Sequence, residues 1–139
     1  MAKKLKPPIL LLLLAFLFSC SNQNEEEKVH ELMLKAREYN VLSNFDGVIE
    51  ITKECLEIDP ENAEAYFMMG NAYFNKREWK NAVVSYDNAV FYDPHYADAF
   101  FNRGKAKEQL NNHDGACDDY RKAHELGKAN VRDNHKHCF

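Results

Sequence analysis

Laid against itself at a shift of 34 residues, the chain aligns 29–62, 63–96 and 97–130 without a gap. A chain that returns to one pattern at this spacing repeats one supersecondary unit and buries each copy's apolar face against its neighbour. In the middle copy the landmarks are Tyr66, Met69, Gly70 and Tyr73, followed by Ala82, Tyr86, Ala89 and Pro94. The third copy repeats them as Phe100, Arg103, Gly104, Lys107, Ala116, Tyr120 and Ala123. The first, with Leu32, Lys35, Ala36, Tyr39, Val48, Thr52, Cys55 and Pro60, is the most diverged, yet its small positions survive.

Those small positions are what packing requires. Two helices approach closely only where one presents a small residue to a large one on its neighbour. Asp59-Pro60 and Asp93-Pro94 stop the second helix of their copies, because the residue before proline is pushed out of the α region. Each proline is placed to open the next helix in its first turn. Leu126-Gly127-Lys128 replaces that signal in the third copy, with a glycine suited to a left-handed helix cap. Asp46-Gly47 and Asp114-Gly115 would propose hairpins in isolation, but they share one repeat position, where the second helix starts. No strand is expected.

This pattern of large, large, small, large in a first helix and small, large, small, proline in a second resembles the tetratricopeptide repeat (TPR) family. The resemblance implies an all-α TPR α-solenoid of three helix-turn-helix repeats, 29–62, 63–96 and 97–130, plus a short C-terminal capping helix within 131–139. It also implies that the first helices line a concave binding face.

The N-terminus belongs to something else. Lys3, Lys4 and Lys6 precede Pro7, Pro8 and an apolar run from Ile9 to Phe18, the layout of a secretory signal over residues 1–19. A spanning helix needs roughly 20 apolar residues, and this run supplies about half. Leu17-Phe18-Ser19-Cys20 resembles the lipobox of bacterial lipoproteins, which implies acylation at Cys20 and a membrane partner through that lipid. Residues 20–28, with Glu25, Glu26 and Glu27 in a row, then read as a solvated tether, similar to the acidic surface-export signals of Bacteroidetes-type lipoproteins. The expected location is the cell envelope, at the outer membrane, facing the periplasm or the cell surface. Past the signal, 15 Lys and Arg face 22 Asp and Glu, a net charge of −7. That sign repels phosphate backbones, so no nucleic-acid partner is expected.

Resemblance to the family places in the groove His30, Met33, Arg37 and Asn40; then Glu64, Phe67, Met68, Asn71, Phe74 and Asn75; then Asp98, Phe101, Asn102, Lys105 and Gln109. Aromatic and methionine side chains flanked by amides and charges suit a peptide or helix held by apolar anchors. Carboxylate-clamp TPR co-chaperones hold an acidic chain end with Lys, Arg and Asn. Here the matching places carry Met33, Arg37, Met68, Asp98 and Asn102, so that ligand is not expected.

Of four cysteines, Cys20 is assigned to lipid, and Cys55 aligns with Ala89 and Ala123 as a small core residue. Cys117 and Cys138 remain and could form a disulfide that pins the cap. His113 lies four residues before Cys117, and His135 and His137 crowd Cys138, a set that could hold zinc. No second paired motif supports it and a fraying tail is a poor scaffold, so no metal and no cofactor are assigned. Phosphate loops, nucleophile elbows and metalloprotease helices are absent from the sequence, so neither catalysis nor a small-molecule substrate is expected. The leading expectation is a lipid-anchored scaffold for a protein or peptide partner; the alternative is a metal-binding or redox accessory using the C-terminal His and Cys residues.

Overall fold

The structure, a computed structural model, describes residues 7–139, with side chains from residue 23 onward. Cys20 and the apolar run before it lie outside the residues whose side chains are described. Among the described residues seven α-helices follow in order: α1 (Pro7–Val41), α2 (Phe45–Ile58), α3 (Ala63–Asn75), α4 (Trp79–Tyr92), α5 (Ala97–Gln109), α6 (His113–Glu125) and α7 (Val131–Asn134), before a 3-10 turn over Lys136–Cys138. The described residues contain no strand, and none of their helices is long and apolar enough to cross a membrane. Each helix packs on the next, and α1, α3 and α5 also touch in turn, so the first helices of successive pairs share one face.

The pairs close through small against large side chains. A Cβ at Gly70 would sit 2.6 Å from Cε1 of Tyr86, and one at Gly104 would sit 2.8 Å from Cε1 of Tyr120. Both tyrosines are buried, and Ala82, Ala89, Ala116 and Ala123 complete the same contacts. Leu32, Ala36, Val48, Ile51, Cys55, Ala65, Met69 and Ala72 form a continuous core where α1, α2 and α3 meet.

Asparagine side chains cap α2, α3 and α6, whereas Glu78 and Tyr96 precede α4 and α5 without a side-chain cap. Asn44 and Asn112 accept from Gly47 N and Gly115 N at 3.0 and 3.1 Å, and Asn62 accepts from Ala65 N at 2.9 Å. Asp46 and Asp114 sit in the first turn just inside these caps, where a negative charge complements the helix dipole. The prolines do not open the next helix. Asp59 accepts from Glu61 N and from the Asn62 side chain, which moves the cap to Asn62 and leaves Pro60 in the connecting turn.

The corner between first and second helix repeats as well. Asn44 N donates to Tyr39 O, Glu78 N to Tyr73 O and Asn112 N to Lys107 O, each at 2.9 Å. The residue before each donor has left-handed backbone: Ser43 at φ 55°, Arg77 at 63° and Asn111 at 60°. Gly127, at φ 87°, fills the same role after α6, where Lys128 N donates to Ala123 O.

Contacts also hold the two ends of the described chain. Helix α1 runs through residues 23–28, part of the stretch read as a solvated tether, and they are exposed; no Pro or Gly breaks the helix, and Lys28 pairs with Glu54 of α2 at 3.6 Å. The C-terminal tail is held rather than frayed. Val131 is buried, His135 lies against Tyr120 with ring centroids 3.8 Å apart, Arg121 donates to the Cys138 carbonyl at 2.7 Å, and a disulfide joins Cys117 to Cys138.

Arg103 takes a landmark position that an uncharged large residue fills in the middle copy. Its guanidinium binds the buried carboxylate of Asp119 through Nε at 2.9 Å and Nη2 at 2.5 Å, and reaches Asp87 at 2.8 Å. Lys107 adds a second cation to Asp119 at 2.8 Å. Burial works against the Arg103 charge, but Asp119 and Asp87 outweigh it and hold its pKa above the ordinary value.

Candidate functional site

On the face shared by α1, α3 and α5 lies a cavity of about 270 Å³ lined by Asn40, Asn71, Phe74, Asn75, Asn102 and Lys105, with Tyr86 reaching through from α4. Its centre is a hydrogen-bonded triad. Oδ1 of Asn71 accepts from the Tyr86 hydroxyl at 2.7 Å and from Nδ2 of Asn102 at 2.8 Å. With that oxygen filled, the Asn71 amide N–H groups and the Asn102 side-chain oxygen have no protein partner among the described residues. An N–H donor beside a C=O acceptor is the complement of a peptide main chain. Burial pushes the Tyr86 phenol well above its usual pKa, so it stays a donor and fixes which way Asn71 points.

Beside the amides, Phe74 stands edge-on to Trp79 at 4.9 Å. Lys105 Nζ lies 5.0 Å from the Phe74 ring centre and 6.0 Å from that of Phe101. A cation held against aromatic faces keeps its charge at the groove while covering their edges. The rim is charged in both signs. Arg37 pairs with Glu64 at 2.7 Å across α1 and α3, and Lys128 pairs with Asp98 while its Nζ lies 4.9 Å from the Phe101 ring centre. Tyr96, near this rim, is pushed up to about 12, first by burial and then by the charges of Glu64, Asp98 and Asp93.

The structure sorts the residues expected in the groove. Asn71, Phe74, Asn102 and Lys105 share the cavity, joined by Asn40 and Asn75. Arg37 and Phe101 flank it. Met33 and Met68 do not face it: they are 4% and 9% exposed and belong to the core, because the neighbouring first helix packs over them. Phe67 is a wedge, with its ring 4.7 Å from Tyr96 and 6.0 Å from Tyr86. Sequence reasoning missed the Tyr86 hydroxyl, having assigned Tyr86 to packing alone; the signal was available, since a buried tyrosine must find a partner for its O–H.

Models of the TPR repeat match residues 70–111, and those of the tetratricopeptide repeat match 52–83 and 97–128. The chain belongs to the tetratricopeptide repeat family. The formate-dependent nitrite reductase complex bifunctional subunit NrfFG of Haemophilus influenzae is 31% identical over 78 residues, which is 53% of this chain and 20% of that protein. The TPR chain thus spans about a fifth of that relative's length. Among solved structures, MamA superposes with a TM-score of 0.69 at 27% identity, covering 71% of this chain and 58% of MamA. The first TPR of Spaghetti (RPAP3), bound to the HSP90 peptide SRMEEVD, superposes with a TM-score of 0.76 at 23% identity, covering 81% of this chain and 90% of that one. The chain is therefore a TPR α-solenoid.

Proposed function

We propose that this TPR protein is a lipid-anchored scaffold that holds an extended peptide of a protein partner in the groove formed by α1, α3 and α5, and carries out no reaction of its own. The observation that carries this reading is the Tyr86–Asn71–Asn102 triad, which leaves an amide donor and an amide acceptor side by side next to the Phe74 ring. The amides read the peptide main chain, and Phe74 with Lys105 takes an apolar or aromatic side chain of the ligand. A peptide-bound neighbour of the same fold supports the choice of ligand class. The peptide itself differs from an acidic chain end, because the positions that would clamp a carboxylate carry Met33, Arg37, Met68, Asp98 and Asn102, with one cation in place of a cluster.

The anchor in this proposal is Cys20, acylated after removal of residues 1–19. Several acyl chains at about 0.8 kcal/mol per buried methylene make attachment effectively permanent. The outer membrane, on its periplasmic or outward face, is the assigned location. Peptides selected from a displayed random library on the wild-type protein should bind Asn102→Ala and Phe74→Ala about tenfold or more weakly, the loss of one buried contact of roughly 1.4 kcal/mol each. Equal affinity for wild type and both variants would remove the groove from the proposal.

A further inference from the structure

Outside the groove, the described residues bring three metal-ligating side chains together at one place. The Sγ atoms of Cys117 and Cys138 and an imidazole nitrogen of His137 all lie within 4.8 Å of one another. Cys117 projects from α6, His137 and Cys138 share the 3-10 turn after α7, and the tail that carries them is anchored from both sides. Val131 is buried ahead of the turn and Arg121 holds the Cys138 carbonyl at its end. The tail is thus fixed well enough to present ligands. His113 is not part of the cluster, and His135 is committed elsewhere, its ring tilted against Tyr120 with Nδ1 3.2 Å from Val131 O.

We infer that Cys117, His137 and Cys138 form a redox-gated site for a thiophilic d10 cation such as Zn²⁺: closed as a disulfide in the oxidised chain, and a Cys₂His site in the reduced one. The two states exclude each other chemically. A disulfide has no thiolate to donate, whereas a tetrahedral zinc with bonds of about 2.3 Å to sulfur and 2.0 Å to nitrogen needs ligand edges of roughly 3.5–3.8 Å. The present cluster is already within reach of that size. Opening takes two electrons and two protons from a dithiol reductant, which leaves as its own disulfide while Cys117 and Cys138 become thiols. Binding Zn²⁺ then releases the two thiol protons as the thiolates coordinate. His137 is exposed, so the fourth position is open to water. In either closed state the tail stays clipped to α6; only the reduced, metal-free chain has nothing covalent or coordinate holding it.

Two other thiols must be kept from confusing the test. Cys55 is fully buried and its thiol is pushed up to about 11, so it is a poor ligand, and alanine fills the matching place in the other two copies. The full chain carrying Cys20→Ala and Cys55→Ala, in detergent, therefore retains only Cys117 and Cys138. Titrated with Zn²⁺ under a chromophoric competitor, it should bind one ion per chain after reduction and none when oxidised. Cobalt in place of zinc should give the intense visible bands of a tetrahedral thiolate site. His137→Ala, at an exposed position, should leave the disulfide and the helical circular dichroism unchanged and weaken zinc binding by about tenfold or more. Stoichiometric zinc in the oxidised chain, no zinc in the reduced chain at micromolar metal, or equal affinity in His137→Ala would each overturn the assignment.

Discussion

Gly70→Ala tests whether the closest approach in the solenoid is set by side-chain size. The added Cβ would lie 2.6, 2.7 and 3.1 Å from Cε1, Cδ1 and Cζ of Tyr86. Carbon atoms do not tolerate the first two distances, so ring or helix must move. The ring has little room: Tyr86 is 1% exposed, its face meets Phe67, and its hydroxyl is tied to Asn71. Overpacking of this kind costs about 1–3 kcal/mol. Against it stands the helix propensity of alanine, worth about 1 kcal/mol over glycine. The net expectation is a loss of up to about 2 kcal/mol, seen as a fall in Tm of up to roughly 8 °C. Urea and thermal unfolding, followed by circular dichroism and by the fluorescence of the single tryptophan, Trp79, give both numbers. Tyr86→Leu in the same chain should show a coupling of about 1 kcal/mol with Gly70→Ala, because the smaller side chain relieves the clash. If the coupling were zero, close packing of small on large would not be what joins α3 to α4. A shifted Tyr86 would also release Asn71, so the same variant should weaken peptide capture.

Asp119→Ala should destabilise by about 3–5 kcal/mol in chemical denaturation, because it strands the Arg103 and Lys107 cations around a side chain only 4% exposed. The Cys55 thiol, pushed from 9.0 up to about 11 by burial and then by the charges of Asp59 and Glu64, keeps its proton longer folded than unfolded. Its contribution to stability is therefore whole below pH 9.0 and falls as pH rises toward about 11, and Cys55→Ala should flatten that part of the stability profile. Intact-mass analysis of membrane-extracted protein should find Cys20 as the acylated first residue; an unmodified Cys20 would discard the anchor.

The repeat period and the small residues it carries were legible because they are constraints of backbone approach, and the same glycine recurs against the same tyrosine. Depth was not legible in the same way. The period places Met33 and Met68 on the side of the first helix that faces its neighbours, but how far the next first helix covers them depends on the inter-unit angle, which no local pattern encodes. Arg103 carries a charge at the place of Met69; the compensating carboxylate, Asp119, lies 16 residues away on the next helix and is visible only once α5 and α6 are paired. Likewise the tail reads as a polar end from its charges, while its hold comes from His135 on Tyr120, a contact across the last pair.

Ser43, Arg77 and Asn111 make the sharpest bend of every unit without glycine. A side chain in that conformation costs roughly 1 kcal/mol, a small standing strain in each unit. Glycine there would relieve it, and would also let the bend wander over a wider range of angles in both the folded and unfolded chain. Stiff elbows instead keep the angle within each helix pair uniform, and the one at Arg77 lies on the path from Asn71 to Asn102, so the spacing on which the main-chain reading of a ligand depends rests on that elbow as well as on the amides.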